Sequence, residues 1–132
     1  MEYIQGDGEE GCIFCNAYSE PDEFSRFVLF KNELCFAMLN KYPYIGGHLL
    51  IAPKRHVGRM DKLNDNEMLE LMRVTNRAVG ALKRSMKPHG FNIGINIGAV
   101  AGAGVPDHIH IHIVPRWTGD TNFVPVLGET RI

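Results

Sequence analysis

FNIGINIGAVAGAGVPDHIHIHIVPRW, residues 91–117, holds two runs that alternate with a period of two. In the first, Phe91, Ile93, Ile95 and Ile97 are separated by Asn92, Gly94 and Asn96. In the second, Ile109, Ile111 and Ile113 are separated by His108, His110 and His112. Successive side chains of a strand point to opposite faces, so each run reads as a strand with one apolar and one polar face. The Gly-rich connection is short, which predicts that the two strands pair. The isoleucines are expected to anchor the second strand to the core, with the histidines facing a cleft or solvent.

Upstream, RFVLFKN and LCFAMLN are two short β-like runs joined at Asn32-Glu33. KYPYIGGH is a Pro/Gly loop, and HLLIAPK reads as a buried strand ended by Pro53. CIFCNAY, residues 12–18, can form a short helical turn before SEPDE breaks it. One long helix is expected over 64–87. Asn64 and Glu67 are spaced as a capping box behind Leu63, and Pro88 and Gly90 stop the helix. Met68, Leu71, Met72, Thr75, Ala78, Val79, Leu82 and Met86 recur at helical spacing and are expected to pack in the core. Strands, a crossing helix and returning strands predict an α+β fold with a mainly antiparallel sheet.

The 132 residues suit one domain, placed over 12–132 behind a polar leader at 1–11. The net charge of -1 shows no basic nucleic-acid footprint. No apolar run reaches the length of a membrane span. The start, MEYIQGDGEEG, lacks the basic and apolar regions of a signal peptide, so a cytoplasmic location is expected. In a reducing compartment the Cys12-x-x-Cys15 spacing suggests metal or redox chemistry, while Cys35 sits in an apolar run and reads as core.

Three imidazoles in alternation require a physical role. Strand rise puts the outer pair about 13 Å apart, too far for one ion with bonds of about 2 Å. The three histidines are therefore expected to have different tasks. Neutral imidazole is a good nucleophile near neutral pH, and phosphoryl chemistry would use it well. Gly98, Gly102 and Gly104 offer backbone N–H groups for an anion, beside Asn92 and Asn96.

HIHIHIVPRW resembles the signature of the histidine-triad (HIT) superfamily. NKYPYIGGHLLIAPKRHV, INIG and the N-terminal CIFC resemble further segments of that family, in the same order. The resemblance implies a five-stranded, mainly antiparallel HIT-like fold with one long and one short N-terminal helix. It implies His110 as the residue that becomes nucleotidylated, and His112 as the group on phosphate oxygens and the leaving group. Asn40 would contact the ribose and Asn96 the phosphates, with Gly104 and Val105 near the α-phosphate. Arg116 and Trp117 would reach the rest of a long polyphosphate or a second base. Cys12, Cys15, His56 and His108 would hold a structural Zn2+, with no metal required for the chemical step.

PRWTGDTNF is similar to the dinucleoside-polyphosphate phosphorylase/hydrolase branch. A homodimer acting on a nucleotide, without nucleic-acid or membrane partners, is implied. Many family members carry Gly-Gln-Ser/Thr ahead of the triad; this chain has GAGVPDH, leaving backbone donors there. A nucleoside phosphoramidate hydrolase, a zinc-stabilised nucleotide-binding module and a metal-dependent hydrolase are the alternatives.

Overall fold

In the computed structural model, residues 11–40, 46–102 and 107–120 are described. The period-two runs pair as their alternation requires. β1 (Val28–Lys31), β2 (Cys35–Leu39), β3 (Leu49–Pro53), β4 (Gly90–Ile95) and β5 (Ile111–Arg116) form one sheet in the order β1-β2-β3-β5-β4. Every neighbouring pair is antiparallel. Asn32 makes the first turn: its Oδ1 accepts from the backbone N–H groups of Leu34 and Cys35 at 2.8 and 2.9 Å. The expected α+β, five-stranded antiparallel fold is the one observed.

α1 (Ile13–Ser19) is the short N-terminal helix and α2 (Asp65–Met86) the long one. Asn64 accepts from the Glu67 N–H at 2.8 Å, and the Glu67 carboxylate accepts from the Asn64 N–H at 2.9 Å. Lys87 ends the helix in a left-handed conformation. Arg55 clamps the same Glu67 carboxylate, with Nη2 to Oε1 at 2.7 Å and Nε to Oε2 at 3.0 Å. This pair ties the start of α2 to the chain that follows β3. At the opposite end, Gly47 has a φ of +85°, and a Cβ there would lie 2.5 Å from Met86 Sδ. Only glycine lets the chain enter β3 so close to the helix.

α2 covers one face of the sheet. Cys35, Ala37, Leu49, Ile51, Ile111 and Ile113 meet Leu71, Val74 and Leu82 in an aliphatic core. α1 packs on the other face, where Phe14 and Ala17 join Val28, Phe36, Met38, Leu50 and Ala52. Cys35 is buried, as its apolar run suggests, and burial followed by the nearby Glu70 pushes its thiol up to about 12.

Two expectations are corrected. Met68 and Met72 are 45% and 63% exposed, because only one stripe of α2 reaches the sheet. The second concerns the histidines. The strand begins at Ile111, and His108, His110 and His112 are all buried, with Phe14 of α1 lying against the first two. They form a second, polar layer of core. Residues 1–10 of the expected leader, and 121–132, lie outside the described residues.

Candidate active site and metal centre

Strand register assembles the site. His112 lies opposite Leu50 on β3 and Gly94 on β4, so His48 and Asn96, each two residues along, share its face. The result is a line of hydrogen-bonding side chains. Asn40 Nδ2 lies 3.1 Å from His48 Nδ1, and His48 Nε2 lies 2.9 Å from His112 Nδ1. Asn96 Nδ2 is 3.5 Å from His112 Nε2. With the Asn40 amide donating, His48 holds its proton on Nε2 and gives it to His112 Nδ1. His112 is then left with Nε2–H as a donor, which the Asn96 amide can accept only with its Oδ1 turned to the ring, because two N–H groups cannot bond each other. Burial, with His110 and His48 adding, holds His112 down at about 2; burial and then His110 hold His48 at about 4. Both imidazoles are neutral near pH 7.

His110 is oriented differently. Its Nδ1–H donates to the His108 carbonyl at 2.9 Å, which fixes the lone pair on Nε2. Among the described residues, His110 Nε2 is the buried side-chain polar atom with no hydrogen-bond partner. Burial lowers this imidazole to about 4, against the opposing pull of the His108 carbonyl. A neutral, buried imidazole with an unpartnered lone pair is equipped for nucleophilic attack. Phe14 forms one wall, its ring centroid 4.6 Å from that of His110 and 5.3 Å from that of His108.

His108 turns away from this chemistry. Its Nε2–H donates to the Pro53 carbonyl at 2.7 Å, so Nδ1 presents its lone pair to Cys12, Cys15 and His56. Nδ1 lies 3.2 Å from Cys12 Sγ, 3.6 Å from Cys15 Sγ and 3.3 Å from His56 Nδ1; Cys15 Sγ lies 3.4 Å from His56 Nδ1. A tetrahedron with metal–N bonds of about 2.0–2.1 Å and metal–S bonds of about 2.3 Å has edges of about 3.3–3.8 Å. The donor set therefore fits a tetrahedral cation such as Zn2+, and all four donor atoms lie within 4.8 Å of one another. The carbonyl on His108 Nε2 is the outer partner that metal-ligating imidazoles ordinarily have.

Ten of the twelve sequence-derived site residues are described. Cys12, Cys15, His56 and His108 come together at one end, and Asn40, Asn96, His110 and His112 come together beside them. Gly104 and Val105 lie outside the described residues. Arg116 and Trp117 sit at the far end of β5. The Arg116 guanidinium is committed to Asp120, with Nε to Oδ1 at 2.9 Å, and to Asn92 Oδ1. Asp120 also caps the turn by accepting from the Trp117 N–H at 2.9 Å. Asn40 is buried beside His48.

From the sequence His48 reads as a structural hydrogen-bonder beside the site, and its contacts with Asn40 and His112 match that reading. Sequence reading leaves out Phe14, which carries no signal of its role; its contact depends on how α1 docks.

Residues 22–119 match the family model of the HIT domain. Cys12 and Cys15 lie ahead of that stretch. The chain is 43% identical over 105 residues to an AP-4-A phosphorylase of Mycobacterium tuberculosis, covering 80% of this chain and 54% of that protein. It is 33% identical over 102 residues to a bis(5'-nucleosyl)-tetraphosphatase [asymmetrical] of Schizosaccharomyces pombe, covering 74% and 56%. The chain thus spans about half the length of these curated relatives. Among solved structures, a Zn-bound histidine triad family protein from Mycobacterium smegmatis superposes with a TM-score of 0.71 at 29% identity, covering 84% of this chain and 78% of that one. Among the described residues no helix is long and apolar enough to cross a membrane.

Proposed function

Because the chain belongs to the HIT domain family, we propose that it cleaves dinucleoside polyphosphates at the α-phosphate through a covalent nucleotidyl-histidine. The observation that carries this reading is His110 Nε2, buried and unpartnered, while Nδ1–H is held by the His108 carbonyl. The names of the mycobacterial and yeast relatives support the substrate class.

In the first step the Nε2 lone pair attacks the α-phosphorus and the bond to the bridging oxygen breaks. The bonding pair leaves with that oxygen as a phosphate anion, which neutral His112 stabilises by donating a hydrogen bond from Nε2–H. In the second step water or inorganic phosphate attacks the same phosphorus, and any proton it carries passes to solvent. The P–N bond breaks with its electron pair returning to Nε2, and His110 is regenerated as the neutral imidazole. Asn96, within reach of His112, would orient phosphate oxygens. Backbone N–H groups of Gly104 and Val105 would receive charge on the α-phosphate. Asn40 would meet the ribose while also orienting His48. Arg116 would have to exchange Asp120 for a distal phosphate, which leaves Trp117 as the freer contact at that end.

Cys12, Cys15, His56 and His108 would hold a structural Zn2+. Four protein donors would leave no open position on such an ion, so its part would be structural. The proposal includes a homodimer: β4 is an edge strand, and Ile93, Ile97, Met68 and Met72 expose apolar surface that a second copy could cover. The same reading is of a cytoplasmic enzyme without nucleic-acid or membrane partners.

The test is to quench the protein with labelled diadenosine tetraphosphate and look for an acid-labile phosphoramidate. The expected product is a nucleotidyl group on His110. Turnover with no adduct at any time would overturn the covalent mechanism. Resolving the products with and without inorganic phosphate separates phosphorylase from hydrolase.

A further inference from the structure

We propose that Phe14 is a positioning residue for the nucleophile, and that through Phe14 and the His108 carbonyl the Cys12/Cys15/His56/His108 centre holds His110 in its reactive orientation. The inference rests on the proposed role of His110 in nucleotidyl transfer.

The argument begins with chain order. Cys12 is the N-cap of α1, its Sγ accepting from the Cys15 N–H at 3.4 Å. The two cysteines bracket Phe14, so fixing them fixes the helical turn that aims its ring. That ring is fully buried and lies over two imidazoles, 34° from the plane of His110 and 40° from that of His108. On its other side it meets Phe36, with ring centroids 6.3 Å apart. The ring is therefore held between sheet and triad and has little freedom to tilt.

His108 is restrained just as closely. Its Nδ1 faces the cysteines and His56, its Nε2–H is bound to the Pro53 carbonyl, and the next residue, Ile109, donates its N–H to the Val57 carbonyl at 2.7 Å. Its own carbonyl is the acceptor for His110 Nδ1–H. Two restraints thus converge on one imidazole. The carbonyl selects the tautomer that leaves Nε2 bare, and the aromatic face fixes the ring plane. No hydrogen bond to Nε2 competes among the described residues. The tilt of the ring is consequently left to packing, which Phe14 supplies from one side at 4.6 Å and the His112 ring from another at 5.0 Å. The cysteine pair, ahead of the residues that match the family model, then does more than fasten the N-terminus: it carries the wall of the active site.

The experiment compares wild type, Phe14→Ala and Phe14→Leu, each as the metal-loaded full chain. Phe14→Leu keeps apolar volume but lacks a flat face. Four quantities are read: metal stoichiometry, melting temperature, single-turnover nucleotidylation against KM, and the His110 tautomer from 15N–1H correlation of labelled histidine. Phe14→Ala is expected to keep its metal and to lower the nucleotidylation rate about tenfold or more, with KM within about twofold. His110 should then exchange between tautomers where wild type holds Nδ1–H. Phe14→Leu should fall between them.

Unchanged rate and tautomer in a metal-loaded Phe14→Ala protein would overturn the proposal. Rate losses that only track lost metal or lost fold across both variants would also overturn it. Failure of the underlying function is separately visible: wild type would then form no adduct on His110, whereas the tautomer readout needs no substrate.

Discussion

The two faces of the sheet are buried to the same degree and specified in different ways. Toward α2, Leu49, Ile51, Ile111 and Ile113 meet Leu71, Val74 and Leu82, side chains that ask only for volume and shape. On the other face, His48, His108, His110 and His112 are buried just as deeply, with Phe14 against His108 and His110. Each imidazole there must be oriented by a named partner, because an unpaired buried polar group is costly. His108 has Pro53, His112 has His48, and His110 has the His108 carbonyl. Among the described residues only His110 Nε2 is left over, and it is the atom to which the proposal assigns the chemistry. One face therefore holds the fold and the other holds an arrangement of protons.

The largest expected effect separates the faces outright. His110→Ala should lower kcat by at least about a thousandfold while the melting temperature stays near wild type. Steady-state assay and thermal melts on the same sample check it, and near-normal turnover would end the proposed mechanism. Chelation, or Cys15→Ser, comes next and acts on the histidine face alone. The melting temperature should fall by about 10 °C or more, because metal binding adds directly to folding free energy. Activity should disappear with the unfolding transition; an immediate loss in protein that is still fully folded would favour a metal in the chemical step.

Ile113→Ala tests the aliphatic face. It should cost about 2–5 kcal/mol in denaturant unfolding through the cavity it leaves, with kcat per folded molecule retained. If kcat fell as far as in His110→Ala, the faces would not be separable. The smallest effect is the pH dependence of the buried imidazoles. His48 is lowered from 6.5 to about 4 by burial and then by His110, so the unfolded chain takes up its proton first. The stability linked to it is complete above about pH 6.5 and is lost as the pH falls toward 4. Urea midpoints over that window should slope less steeply in His48→Gln than in wild type; equal slopes would remove His48 from the acid response.

The fold was legible because alternation and capping are local. Ile93, Ile95, Asn92 and Asn96 announce a strand from their own spacing, and Asn64 with Glu67 announces the start of α2 before any packing is known. The four-residue metal cluster came from the family resemblance, and its geometry then fitted a tetrahedral ion. Burial was not legible. A period of two says which residues share a face but not what covers that face. The histidines were therefore expected at a cleft or in solvent, and Met68 and Met72 in the core. Helical spacing does not say how wide a stripe the sheet will reach.

What the sequence by itself determined was parity, capping and the inventory of side chains able to do chemistry. Those depend on backbone geometry within a few residues. What only the tertiary structure decided was where the proton sits on each imidazole. His108, His110 and His112 are chemically identical and alternate along one stretch of chain. Pro53, the His108 carbonyl and His48 place the proton on Nε2 of His108, on Nδ1 of His110 and on Nε2 of His112. Two of those partners reach their positions through β3, more than fifty residues earlier in the chain. Where a proton sits on an imidazole depends on the atom opposite it, and strand pairing supplies that atom.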